Sequence, residues 1–294
     1  MLVVALGTLT AVAMSANLQR DLRRTTSLIE RDRAMQVALG AEMWAKGVLA
    51  RDGAATKTDA LRDDWAQPIR DLPVEGGYLS GGLEDLQGRF NLNSLIQDGK
   101  RSALAMERFE TLLSVLGVSP GLAAAVADWI DADSEVDNYG GAEDFDYLSR
   151  RPPYHAANRP FVSVTELRQV KGIDERIYRK LAPFVAALPE VTPINVNTAP
   201  LEVIMALSPE MTRGAAEEVV LARGRDGFQD LVEFTTLPAL ERFQILPQGL
   251  TLLSNHFLGL VRVRMGRTLF VSRVYLQRGV AGATVRMREE GEIL

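Results

Sequence analysis

The sequence predicts an α+β protein: a long N-terminal helix packed on an antiparallel β domain, with a large all-α domain inserted into that β domain. Three observations carry this. Residues 1–50 contain no proline and place apolar residues at helical spacing. Alternating apolar residues mark strands on both sides of the middle of the chain. Between them lies a block of 3.6-residue periodicity. The expected boundaries are a helix over 1–50, a discontinuous β domain over 51–97 and 248–294, and an inserted helical domain over 98–247.

Met1 to Leu18 carries no charge, and at about 1.5 Å per residue this run is just short of a bilayer core. A cleaved signal peptide would share the apolar run and the small residues Ala11, Ala13 and Ala16, but its basic n-region is missing. The pattern continues past Arg20, with Met35, Ala38, Ala41, Ala45 and Val48 on one helical face, so a single helix that becomes amphipathic is the simplest account. Asp52 to Lys57 is a polar break. From Trp65 to Asn93, Gly76-Gly77 and Gly81-Gly82 are turn signals flanking short antiparallel strands. Helical spacing or caps then mark Ala103–Leu116, a helix with Ser119 as N-cap and Pro120 first, Val164–Val170, Asp174–Leu188, Pro200–Leu207 and Arg213–Ala222. Between Ser254 and Leu276 the alternation of Phe257, Val261, Val263 and Met265 returns through Gly266-Arg267 to Leu269, Val271 and Tyr275, which is a hairpin.

A net charge of −5 gives no electrostatic reason to expect nucleic acid, and the absence of cysteine excludes disulfides, thiolate metal sites and cysteine nucleophiles. With only His155 and His256, imidazole chemistry is thinly provided.

The most informative segment is 128–146. It holds Asp128, Asp131, Asp133, Glu135, Asp137, Glu143, Asp144 and Asp146, with no Lys or Arg among them. Asp128 and Asp131 fall at a helix C-terminus, where the macrodipole disfavours anions. Something positive is expected there, and a hard divalent cation fits, calcium before magnesium because calcium tolerates irregular loops. Asp131, Asp133 and Glu135 have the every-second-residue spacing of calcium loops, yet Val136 and Ala142 stand where an EF-hand needs Gly and a bidentate Glu. The competing account is a solvated acidic loop that repels itself. Trp129, Phe145 and Tyr147 argue for a loop packed on something.

Two stretches, Phe161–Leu188 and Ile194–Phe234, resemble helix-hairpin-helix or SAM-like modules. Such hairpins bind phosphate through glycine-rich turns. Here one turn is Leu207-Ser208-Pro209-Glu210 and the other has only Gly172 after Lys171, so a structural or protein-contact role is favoured over DNA. A metal-dependent hydrolase would reuse the acidic cluster, but no nucleophile, base or oxyanion donor can be assigned.

Taken together, the chain resembles the general secretion pathway protein K family, the large minor pseudopilins of type II secretion systems. The likeness rests on the apolar N-terminal helix, Asp85-Leu86-Gln87-Gly88-Arg89-Phe90-Asn91-Leu92-Asn93, Asp128-Trp129-Ile130-Asp131-Ala132-Asp133, Gly140-Gly141-Ala142-Glu143-Asp144, Pro152-Pro153-Tyr154 and Asn195-Val196-Asn197-Thr198-Ala199. It implies a pilin-like fold with the helical insertion and one or two structural calcium ions. The implied ligands are Asp131, Asp133, Glu143 and Asp144, followed by Glu135, Asp146 and Asp128. It also implies a single-pass inner-membrane protein with its globular part in the periplasm, at the pseudopilus tip beside the I-type and J-type minor pseudopilins, where secreted substrates could meet it, and neither an enzyme nor a nucleic-acid binder. Packing against partner helices is expected from Leu2, Val3, Val4, Leu6, Leu9, Val12, Met14, Leu18, Leu22, Met35, Ala38 and Ala45. No basic leader ending in Gly, as prepilin peptidase cuts, is present, so the sequence is read as truncated or as starting within the mature helix. No acid precedes Asp21 in the apolar run, as expected of a subunit with no neighbour above it to neutralise.

Overall fold

A computed structural model describes residues 2–137, 140–243 and 245–291, with side chains from residue 14 onward. The chain forms two compact units, 1–52 with 64–84 and 258–294, and 53–63 with 85–257.

The first unit is a helix on a five-stranded sheet. Helix α1 runs from Leu2 to Ala55. Strands β1 (Ile69–Val74), β2 (Gly77–Asp85), β3 (His256–Met265), β4 (Thr268–Gly279) and β5 (Gly282–Glu290) lie in that spatial order. The first pair and the last pair are antiparallel, with Leu72 opposite Leu79 and Tyr275 opposite Met287. The alternation expected over β3 and β4 is present, and Gly266-Arg267 joins them. Small side chains let helix and sheet approach closely: Ala34 and Ala38 are buried against Leu79, Val261, Val263, Met265 and Phe270, with Met35 half-buried beside them. Two ion pairs fix the same helix to the sheet, Glu42 to Arg288 at 2.7 Å and Asp52 to Arg278 at 2.9 Å.

Several expectations are corrected here. Ala38 is buried in this core with Met35 half-buried against it, so the unit's own sheet covers Ala38 and part of Met35, and Ala45 is half-buried. Met14, Leu18 and Leu22 do present exposed side chains, Met14 being 77% exposed. Leu2, Val3, Val4, Leu6, Leu9 and Val12 lie outside the residues whose side chains are described. Among the described residues no helix is long and apolar enough to cross a membrane, and most of the uncharged run Met1–Leu18 lies outside the residues whose side chains are described. Gly81-Gly82 is not a turn but lies inside β2, where position 81 needs glycine because a Cβ there would stand 2.6 Å from the Leu260 carbonyl oxygen. Strand β5 was not anticipated; its mostly exposed, charged side chains hide the two-residue period.

The second unit is mainly helical: α2 (Ala103–Val115), α3 (Leu122–Ile130), α4 (Asp144–Leu148), α5 (Glu175–Leu181), α6 (Leu201–Met205), α7 (Arg213–Arg223) and α8 (Leu231–Thr235). Phe109, Leu112, Trp129, Leu167, Phe228 and Phe234 lie in its core. It is not all-α, since two-residue ladders join Phe90–Asn91 to Val185–Ala186, Ile96–Gln97 to Lys100–Arg101 and Ile194–Asn195 to Leu250–Thr251. Those ladders draw 85–97 and 248–257 into this unit, which were expected in the β domain. The helix expected over Asp174–Leu188 stops at Leu181 because Pro183 offers no donor, and the chain turns to extended backbone. Ser119 and Pro120 form a turn before α3, whose N-cap is Gly121. The 3-10 turn Val164–Gln169 is closed by a capping box of Ser163 and Glu166.

The asparagine motifs brace this unit. Asn93 donates to the carbonyls of Phe161 at 2.9 Å and Leu188 at 2.8 Å and accepts from the Phe161 amide at 2.8 Å. Asn197 exchanges two bonds with the Phe228 backbone at 2.8 and 3.0 Å. Asp85 is buried and accepts from Asn195 and Ser254 at 3.1 and 2.6 Å, and burial pushes its carboxyl up to about 6.

Candidate metal centre

The acidic segment begins where α3 ends. Asp128 lies within its last turn, fully buried, and Asp131 is its C-cap. The chain then loops out and returns through Gly140 and Gly141 to α4. Gly140 has a φ of +117°, and a Cβ on Gly141 would collide with the Asp128 carboxylate and the Asp137 backbone. This glycine pair lets the return strand lie directly on the helix end, so Asp128 Oδ2 accepts from the Ala142 amide at 2.8 Å and the Asp137 amide at 3.2 Å.

The loop is seated on aromatic rings, as Trp129 and Tyr147 suggested. Trp129 meets Tyr147 edge-on at 5.0 Å, and Tyr147 stacks on Tyr154 at 5.5 Å. Phe145 departs from that expectation: it is 88% exposed.

Part of the positive charge the sequence demands comes from Arg101, which follows the tight turn after Ile96–Gln97. Its guanidinium pairs with Asp128, with Asp137 and with Asp131 Oδ2, the last at 3.2 Å. Local sequence gave no sign of this, because Arg101 is 27 residues before Asp128 in the chain and only the fold brings them together. One guanidinium cannot neutralise the whole segment.

What Arg101 leaves uncompensated is specific. Asp131 Oδ1 and both carboxylate oxygens of Glu143 are buried and have no hydrogen-bond partner among the described residues. Glu143 is only 2% exposed. Oxygens from Asp131, Asp133 and Glu143 lie within 4.8 Å of one another. Burial, reinforced by the neighbouring Asp128, Asp131 and Asp133, pushes Glu143 up to about 7; burial likewise pushes Asp131 up to about 6 and raises Asp128. Charged oxygens without donors in a dry site are costly, and a hard cation coordinated by oxygen is the partner their chemistry fits.

The remaining expected ligands are turned elsewhere. Asp144 faces His155 Nδ1 at 2.7 Å and the Ala156 amide at 2.9 Å, and the His155 hydrogen bond holds its carboxyl below the usual range. Asp146 pairs with Lys171 at 2.8 Å. Asp128 belongs to Arg101, and Glu135 is exposed beside the Asp133 turn, its amide donating to Asp133 Oδ1 at 2.9 Å. The structure therefore gathers Asp131, Asp133 and Glu143, while Asp144, Asp146 and Asp128 are engaged by other partners and Glu135 is exposed. In the second helical hairpin the Ser208 hydroxyl already accepts from the Glu210 amide at 3.4 Å.

Comparison with known proteins places this architecture. Two family models described as "Type II secretion system (T2SS), protein K" match residues 88–190 and 194–253. The type II secretion system protein K of Pseudomonas aeruginosa is 41% identical over 246 residues, covering 80% of this chain and 73% of that protein. The Klebsiella pneumoniae protein of the same name is 32% identical over 294 residues, covering 95% and 90%. A chain in the crystal structure of the GspK-GspI-GspJ complex from enterotoxigenic Escherichia coli superposes with a TM-score of 0.81 at 29% identity, covering 92% of this chain and all of that one. With 88–190 and 194–253 both matched, and relatives above 30% identity aligned over most of their length, this chain belongs to the type II secretion system protein K family.

Proposed function

We propose that this chain is a minor pseudopilin that caps and helps initiate the periplasmic pseudopilus of a type II secretion system, in a tip complex with I-type and J-type minor pseudopilins. The observation that carries the reading is the likeness, over nearly the full length of both chains, to a subunit crystallised as part of a GspK-GspI-GspJ complex. The long helix on a five-stranded sheet supports a pilin-like first unit, and the short helices of the second unit support a SAM-like or helix-hairpin-helix ancestry put to structural use. Exposed Met14, Leu18 and Leu22, followed by Leu28 and Ile29, give α1 an apolar surface for neighbouring helices, and the uncharged run Met1–Leu18 is the proposed inner-membrane anchor.

The acidic loop has a structural role in this reading. Asp131, Asp133 and Glu143 would hold calcium, whose two positive charges relieve the repulsion and desolvation of those carboxylates. Arg101 and the Trp129–Tyr147–Tyr154 stack hold the loop in place around them. The proposed role is that of a non-enzymatic fibre subunit.

The test is co-purification of the periplasmic part with soluble I-type and J-type minor pseudopilins. A stable ternary complex at micromolar concentration is expected. A chain that elutes alone beside both partners would overturn the assignment.

A further inference from the structure

We propose that Arg101 sets the affinity of the calcium site, as a built-in guanidinium that shares the acidic loop with the bound ion. The inference rests on the calcium reading above and goes beyond it by naming the residue that opposes the ion. Arg101 takes Asp128, Asp137 and one oxygen of Asp131, Oδ2. The other oxygen of Asp131, Oδ1, is buried without a partner, and Asp131 contributes one of its oxygens to the group formed with Asp133 and Glu143. A single carboxylate is thus the boundary between two cation positions.

Glu143 supplies an independent sign that the second position is built for a ligand. Its side chain is almost wholly buried, both of its oxygens lack donors, and it converges on Asp131 and Asp133. A guanidinium and a divalent ion on opposite oxygens of one carboxylate stand roughly 5–6 Å apart, and even at the dielectric of water that repulsion weakens ion binding by on the order of tenfold. Arg101 also cancels charge on Asp128 and Asp137 that would otherwise attract the ion. The loop without its ion is then held by Arg101 at the expense of weaker calcium binding.

The experiment titrates the wild-type chain, Arg101→Gln and Arg101→Lys with calcium chloride at constant ionic strength. Chelator competition from the calcium-loaded state reads the same constant for any variant that needs the ion to fold. Arg101→Gln is expected to bind about tenfold more tightly, and Arg101→Lys, which keeps the charge, to stay within about threefold of wild type. Arg101→Gln should also gain more in melting temperature on adding calcium. Equal or weaker affinity in Arg101→Gln, with wild type still binding, would overturn the role of Arg101 and leave the calcium site standing. No binding by any of the three, with the same melting temperature in calcium and in chelator, would overturn both.

Discussion

Glu143 offers the sharpest perturbation. In the metal-free protein its carboxyl is pushed from an ordinary 4.5 to about 7, first by burial and then by the surrounding aspartates. The native state therefore holds a proton that the unfolded chain has already lost. Stability from that proton is fully present below pH 4.5 and disappears as pH rises towards 7, a loss of about 3 kcal/mol. Gln at 143 mimics the protonated form and cannot titrate. In chelator, Glu143→Gln should match wild type near pH 4.5 and exceed it by about 3 kcal/mol at pH 7. Saturating calcium should reverse the order at pH 7, because the ion neutralises Glu143 in wild type while the variant has lost a charged ligand. Urea denaturation across this pH range, with and without calcium, measures all of it. Asp85, also raised to about 6, titrates in both proteins and cancels in the comparison, whereas Asp131 is coupled to Glu143, so the difference between the two profiles reports Glu143 together with its effect on Asp131. A variant less stable than wild type in chelator at pH 7 would refute the reasoning.

Four further outcomes follow from the observed contacts. Asp144→Asn should leave calcium affinity within about threefold of wild type in a calorimetric titration, since Asp144 is engaged by His155 and Ala156 rather than by the cation group. Asn93→Ala removes three buried hydrogen bonds and strands their backbone partners, so chemical denaturation should show a loss of about 3 kcal/mol. Ala38→Leu overpacks the helix–sheet core and should cost about 1–3 kcal/mol, whereas Leu22→Gln should change stability by less than about 0.5 kcal/mol and instead weaken co-purification with the partner pseudopilins.

The long helix, the hairpin joined by Gly266-Arg267 and most helix starts were legible because their signals are local: spacing, caps and a two-residue turn. Strand β5 was not, since an exposed edge strand has no apolar alternation to display. The acidic loop was recognisable as a place needing positive charge, and Asp131, Asp133 and Glu143 were among its expected ligands. Its division was hidden because it depends on three residues distant in sequence: Arg101 claims Asp128, Lys171 claims Asp146 and His155 claims Asp144. Met35 and Ala38 illustrate the same limit, since helical spacing marks an apolar face without saying whether the chain's own sheet or another molecule covers it.

Calcium bound per chain tests the account most directly, measured by equilibrium dialysis on wild type and on the triple variant Asp131→Asn, Asp133→Asn, Glu143→Gln. Wild type should bind calcium and melt higher with it, by about 2.7 kcal/mol of added stability at one hundred times the dissociation constant, and the triple variant should do neither. A wild-type chain that binds none, with one melting curve in calcium and chelator alike, would contradict it.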